Sequence, residues 1–316
     1  MTKTPADGIF SELAARVDAD LLRCRMEKEG AKEVSVQKRG QNFFFNDQKI
    51  SFRSLFRRSL KLAGLLNSGR QNALELAVTY HDLRVRDLPV EFDGYRILHL
   101  SDLHLDANEF LPTVLIDQIG AVQSDLCVMT GDFRARSFGP IDNCIEHLGE
   151  VVRHIKTPIY ATLGNHDSIR MVPAIESLGI RLLLNESVPL DHKDQQIQLL
   201  GVDDPHYFRS DDLAKAAHGL SRDDCLLLLA HSPELIADAH QIGVSAYLCG
   251  HTHGGQICLP GGMPLISNAR ASWRYSSGSW RYKEMAGYTS RGSGVSIVDV
   301  RFNCAPEITV HTLRVG

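Results

Sequence analysis

Apolar positions change their rhythm along this chain near residue 88. From about Ser11 to Thr79 they recur at mostly helical spacing, with an interruption around Gly40 and the aromatic run Phe43-Phe44-Phe45. Between Ser51 and Asn67, Phe52, Leu55, Phe56, Leu60 and Leu62/Ala63 keep helical spacing. Arg53, Arg57, Arg58 and Lys61 lie between them, and the segment holds no acid. This pattern predicts a basic amphipathic helix. Such a helix suits the surface of an anionic membrane; packing its apolar face on the body of the protein is the competing reading. Beyond Leu88-Pro89 the pattern becomes short apolar runs separated by polar loops, which predicts buried strands at Tyr95–Leu100, Leu126–Thr130, Ile159–Leu163, Gln198–Val202, Cys225–Ala230 and Ala246–Cys249. Helices are expected at Leu111–Gln123, Asp142–Ile155 and Pro173–Leu178, and a terminal strand pair at Val295–Phe302 and Glu307–Val315. The rhythm is that of an α/β protein. It divides the chain into a mostly helical N-terminal extension, 1–84, and a second domain, 85–316.

Five of the apolar runs lead directly into residue types that bind metals: Asp102-Leu-His104, Gly131-Asp132, Gly164-Asn165-His166-Asp167, His231 and Gly250-His251-Thr-His253. Side chains at the carboxyl ends of neighbouring strands converge at one sheet edge, so these distant positions can share a pocket. Residues two apart in an extended segment project to the same side, which lets Asp102 and His104, or His251 and His253, address cations together. Imidazole with carboxylate and carbonyl oxygen suits Mn²⁺, Zn²⁺ or Fe; the absence of cysteine from the set disfavours a thiolate site.

Composition narrows the setting. At 316 residues and 43% hydrophobic content, the chain can bury an enzyme-sized core. Its net charge of −4 gives no general sign of nucleic-acid binding. The distribution is uneven: residues 1–91 carry 16 Lys+Arg against 12 Asp+Glu, and the remainder 18 against 26. Seven dispersed cysteines without a C-x-x-C pair argue against a disulfide framework and for a reducing compartment, the cytosol. Neither a secretory signal nor an apolar stretch of about 18 residues is read, so no membrane span is expected.

The order D-x-H, G-D, G-N-H-D, H, G-H-x-H, intact from about Leu83 to the C-terminus, resembles the calcineurin-like metallophosphoesterase superfamily. The extended form Gly250-His-Thr-His-Gly-Gly-Gln-Ile257 is similar to a bacterial subgroup of membrane-associated phosphohydrolases, among them enzymes hydrolysing UDP-2,3-diacylglucosamine. The resemblance implies a four-layer αββα sandwich and two divalent ions. Asp102, His104 and His253 would bind one, Asn165, His231 and His251 the other, and Asp132 would bridge them. It further implies that His166 contacts the phosphoryl oxygen or protonates the leaving group, with Asp167 orienting its ring. Two divalent cations against the charges of Asp102, Asp132 and a bridging hydroxide leave the site positive, which suits an anionic phosphate and in-line attack by that hydroxide.

Weaker candidates for substrate contact surround this set. Arg134 and Arg136 follow Asp132, and guanidinium forks suit phosphate; solvation at the surface is the simpler reading. Asp204, in Gly201-Val-Asp-Asp204, also fits a plain Asp-Asp-Pro turn, with His206 nearby. Trp273, Arg274 and Tyr275 open an aromatic-rich segment that could border the site or fill a core. His99 is read as packed behind the site, whereas His81, His147, His154, His192, His218, His240 and His311 are placed on surfaces. The sequence therefore predicts a cytoplasmic phosphodiester or pyrophosphate hydrolase on a lipid-linked or nucleotide-sugar substrate, at the inner membrane surface through peripheral contact by 51–67. A cyclic-nucleotide or general phosphodiesterase is the alternative, and a non-catalytic scaffold on the same fold is a third reading.

Overall fold

The computed structural model describes residues 13–14, 16–37, 47–265, 270–296 and 298–316, with side chains of 32–37 and 47–53 left aside. The aromatic run at 43–45 lies outside the described residues. Helices α1 (Ala19–Gln37), α2 (Asp47–Leu62) and α3 (Leu66–Asn72) come first, then strand β1 (Ala77–Val85). The amphipathic segment expected at 51–67 is thus divided: α2 stops at Leu62, and Gly64, at φ +71°, turns the chain into α3.

Next come β2 (Arg96–Leu100), α4 (Leu111–Gly120), β3 (Leu126–Met129), α5 (Asp142–Val152), β4 (Ile159–Ala161), α6 (Val172–Glu176) and β5 (Ile180–Leu182). The antiparallel pair β6 (Glu186–His192) and β7 (Gln195–Gly201) is followed by α7 (Leu213–Ala216), β8 (Leu226–Leu229), α8 (Ile236–Ile242) and β9 (Ala246–Cys249). Strands β10 (Gly278–Tyr282), β11 (Met285–Thr289) and β12 (Glu307–Val315) complete the chain.

Two six-stranded sheets form, in the orders β1-β12-β2-β3-β4-β5 and β10-β11-β9-β8-β7-β6. Three apolar clusters define four layers. One joins the first sheet to α1, α4, α5 and α6; the second fills the space between the sheets; the third joins the second sheet to α7 and α8. This is the αββα sandwich. Strands β3, β8 and β9 read as uninterrupted apolar runs because both of their faces are covered.

Several elements differ from the sequence reading. Strand β1, whose first residues were expected to end a helix, pairs in parallel with β12 along its whole length, and the junction at 84/85 falls inside it. Among the described residues of Val295–Phe302 the expected strand does not form; β12 pairs with β1 and β2 instead. His311 is fully buried rather than on the surface, because alternation along β12 turns it into the layer between the sheets. The N-terminal helix α1 packs tightly on the body. Arg25, 1% exposed, donates to Asp203 at 2.8 Å, to Ser210 at 3.1 Å and to the Asp167 carbonyl at 3.0 Å.

Candidate metal centre

Parallel strands β2, β3, β4, β8 and β9 end at one edge, and the loops leaving them carry the seven candidate ligands to a common point. Five of the seven, Asp102, His104, Asp132, His251 and His253, have φ between +45° and +73°. Left-handed backbone at non-glycine residues is uncommon, and its concentration at one edge marks a functional site. Crossing loops leave no spare room: a Cβ on Gly131 would stand 2.5 Å from the Gly164 nitrogen, and one on Gly250 would collide with the side chains of Ser101 and Asp102.

Two groups of donors result. In the first, His104 Nε2 faces His253 Nε2 at 3.1 Å, and His253 Nε2 lies 3.3 Å from Asp102 Oδ1. In the second, His231 Nε2 lies 3.0 Å from Asn165 Oδ1, 3.2 Å from His251 Nδ1 and 3.4 Å from Asp132 Oδ2. Asp132 also stands 3.8 Å from His104, so its carboxylate lies between the groups. The sets Asp102/His104/His253 and Asp132/His231/His251 each present ligand atoms within 4.8 Å of one another.

These residues fit divalent cations. Ring nitrogens and carboxylate oxygens converge at distances a shared cation would resolve, and Asp102 Oδ1 and His251 Nε2 are buried without a hydrogen bond among the described residues. The outer nitrogens are engaged: His104 Nδ1 meets the Arg134 carbonyl at 2.9 Å and His231 Nδ1 the Thr130 carbonyl at 2.7 Å. A carbonyl only accepts, so each ring carries a proton on Nδ1 and turns Nε2 to the centre, the nitrogen that a metal-binding imidazole presents bare once a cation takes the place of any proton there. Burial pushes His251 down to about 3 and His253 well below the ordinary range, keeping both neutral. Burial also opposes charge on His231, but Asp132 outweighs it and favours positive charge there.

His166 projects beside His104 and the shared carboxylate, its ring 5.1 Å from that of His104 and its Nε2 3.9 Å from Asp132 Oδ2. Its backbone N–H donates to Asp132 Oδ1 at 2.8 Å, and its Nδ1 meets the Ala135 carbonyl at 2.6 Å. The expectation that Asp167 orients this ring needs correction. Asp167 is fully buried, and its carboxylate accepts from the backbone nitrogens of Asp132 (2.7 Å), Phe133 (2.9 Å) and Gly164 (2.9 Å), tying two ligand loops together. Burial, then the Asp132 charge, pushes its carboxyl up to about 7.

The weaker candidates scatter. Arg134 is buried, with Nε on the His166 carbonyl at 2.9 Å, so it braces the loop instead of lying solvated at the surface. Arg136 is exposed. Asp204 caps its own turn, accepting from the nitrogens of His206, Tyr207 and Phe208, as an Asp-Asp-Pro turn would. Tyr275 is buried against Trp280, Arg274 lies over the Tyr275 ring, and Trp273 is 77% exposed. This segment does border the centre, since Thr252 Oγ1 donates to the Ser276 carbonyl at 2.5 Å. Sequence reasoning missed Glu234, which holds His206 Nδ1 at 2.7 Å and sets that ring 4.0 Å from His251. Its only signal is a position three residues after His231.

An αββα sandwich with a carboxylate shared between two imidazole groups at the strand ends defines a metal-dependent hydrolase. A model of the calcineurin-like phosphoesterase family matches residues 95–255. An uncharacterized metallophosphoesterase of Bacillus subtilis, YkuE, is 31% identical over 76% of this chain and 86% of its own length. Phosphodiesterase YaeI of Escherichia coli is 29% identical over 69% and 82%. A Bos taurus protein described as a transmembrane protein with metallophosphoesterase domain is 30% identical over 81% and 60%. The chain belongs to the calcineurin-like phosphoesterase family, and is a hydrolase acting on phosphoric esters. Among the described residues, no helix is long and apolar enough to cross a membrane.

Proposed function

We propose that this protein hydrolyses a phosphodiester or pyrophosphate bond at a centre of two divalent cations, drawn from Mn, Zn and Fe. Asp102, His104 and His253 would hold one ion and Asn165, His231 and His251 the other, with Asp132 common to both. The observation that carries this reading is the Asp132 carboxylate standing between two convergent imidazole groups. When bound, such a pair of ions polarises the phosphoryl group and lowers the pKa of an attacking water. His166 supplies the proton chemistry. With Nδ1–H donating to the Ala135 carbonyl, Nε2 is the atom that gives a proton to the departing oxygen, and it does so from the imidazolium, in which both ring nitrogens are protonated. Asp167 keeps the two loops in register.

The substrate we favour is lipid-linked or a nucleotide sugar, of the UDP-2,3-diacylglucosamine kind, met at the inner membrane surface. Support comes from α2: Arg57, Arg58 and Lys61 are exposed beside Leu55 at 62% and Leu62 at 90% exposure, so apolar positions face solvent next to a cluster of cations. A general or cyclic-nucleotide phosphodiesterase is the second reading; it draws on the relative named a phosphodiesterase and on exposed Trp273, whose ring could stack on a base. The test is turnover of bis-p-nitrophenyl phosphate, UDP-2,3-diacylglucosamine and cyclic nucleotides with each metal supplied separately. Hydrolysis should appear with at least one metal and fall to background in Asp132→Asn. An Asp132→Asn variant that retains wild-type turnover would refute the assignment.

A further inference from the structure

Behind Asp102 a line of hydrogen bonds runs through the layer between the sheets. His81 on β1 and His311 on β12 are register partners, with their Nδ1 atoms 3.2 Å apart. His311 Nε2 lies 3.3 Å from Nδ1 of His99 on β2, and His99 Nε2 lies 2.9 Å from Thr130 Oγ1. Thr130 Oγ1 meets Ser101 Oγ at 2.8 Å, and Ser101 Oγ meets Asp102 Oδ2 at 2.6 Å. His99, His311, Thr130, Ser101 and Asp102 are all buried.

One end of the line sets the direction of the whole. A carboxylate bound to a cation only accepts, so Ser101 donates to Asp102. The single Ser101 proton is then used, and Ser101 accepts from Thr130. Thr130 in turn accepts from His99 Nε2–H, which leaves His99 Nδ1 to accept from His311 Nε2–H, and His311 Nδ1 to accept from His81 Nδ1–H. A neutral imidazole has one donor and one acceptor nitrogen, and each ring meets that requirement in the same sense. Burial pushes His99 down to about 4 and His311 well below the ordinary imidazole range, which keeps the two inner rings neutral. The surrounding layer is apolar: Leu83, Ile97, Val128 and Leu313 share it. Polar groups placed there are tolerated only because every one is paired.

We infer that the His81–His311–His99–Thr130–Ser101 column positions the metal ligand Asp102, aiming the Ser101 hydroxyl at Oδ2 from behind so that Oδ1 remains the atom offered to a cation. Asp102 Oδ2 also accepts from the His251 nitrogen at 2.9 Å, so both of its contacts hold it from the protein side. His99 and Thr130 are positioning residues; neither is among the seven ligands. The inference rests on the reading of Asp102 as a metal ligand.

The column is tested by cutting it isosterically. Metal-free wild type, Thr130→Val, Thr130→Ser, His99→Phe and the double variant are titrated with Co²⁺, followed by absorption and calorimetry, with thermal unfolding of each metal-free protein as the check on folding. Thr130→Val should weaken one of the cation-binding events about 10-fold and shift its absorption bands, in the range seen when groups behind metal ligands are removed. Thr130→Ser should bind as wild type, and adding His99→Phe to Thr130→Val should cause no further loss, because the line is already broken. Wild-type binding by Thr130→Val, equal losses in Thr130→Ser and Thr130→Val, or additive losses in the double variant would each overturn the inference. A wild type that binds cations but cleaves no phosphoester refutes the hydrolase reading and leaves the column to be judged by Thr130→Val. A wild type that binds no cation overturns both.

Discussion

His166 shows how one side chain is given a single task by its neighbours. Its nitrogen is held by Asp132 and its Nδ1 by the Ala135 carbonyl, so the ring has one orientation and one working atom. Replacing it with alanine removes a proton donor without removing a ligand. His166→Ala should therefore keep wild-type metal content by elemental analysis while kcat falls about 10²- to 10⁴-fold; loss of metal together with activity would place His166 in the ligand set instead. At this scale the sequence is informative where residue type determines chemistry. That Asp102, His104, Asp132, Asn165, His231, His251 and His253 converge on one point was legible, since each liganding residue type follows directly on a short apolar run. The work of Asp167 was not legible, because its partners are the backbone nitrogens of Asp132, Phe133 and Gly164, which every sequence supplies. Arg134 hid for a similar reason: its partner is the His166 carbonyl.

Among the elements, helix α1 has a more direct link to the centre than its distance in sequence suggests. Arg25 reaches Asp203 and the Asp167 carbonyl, stacks 4.0 Å over the Phe208 ring, and lies 3.2 Å from Glu29. Glu29 in turn accepts from Ser168 Oγ at 2.5 Å and from the Ile169 nitrogen at 2.8 Å, so α1 grips the loop just after Asn165 and His166. Removing the cation leaves buried carboxylates uncompensated. Arg25→Met should lower unfolding free energy by about 3–5 kcal/mol in chemical denaturation; a change under about 1 kcal/mol would show that α1 is not part of the folded unit. None of this is visible in the sequence, where Arg25 is one cation among many on a polar helix. The buried strands were visible, since β3, β8 and β9 are apolar throughout and β2 is apolar but for Arg96 and His99. Strands β1, β6 and β10 have mixed apolar and polar positions, a pattern that neither the strand nor the helix period captures well.

For the molecule as a whole, the unequal charge of its two parts acquires a location. The basic residues of 1–91 include Arg57, Arg58 and Lys61 on α2, next to exposed Leu62, while the acidic remainder builds most of the sandwich. Vesicles containing anionic lipid should float the protein in a density gradient at low salt, and Arg57/Arg58→Glu should abolish flotation. Failure of the unaltered protein to float would leave α2 without a membrane role. The class of fold was legible from the rhythm of short apolar runs. The four-layer sandwich was not, because a strand buried on two faces looks the same whatever covers it; that expectation came from the ordered motifs. The central claim is that seven side chains hold two divalent cations around Asp132. An anomalous-difference map from crystals grown with Mn²⁺ tests it directly. Two peaks are predicted, one among Asp102, His104 and His253, the other among Asn165, His231 and His251, with Asp132 touching both. A single peak, or peaks that Asp132 does not share, would contradict the account.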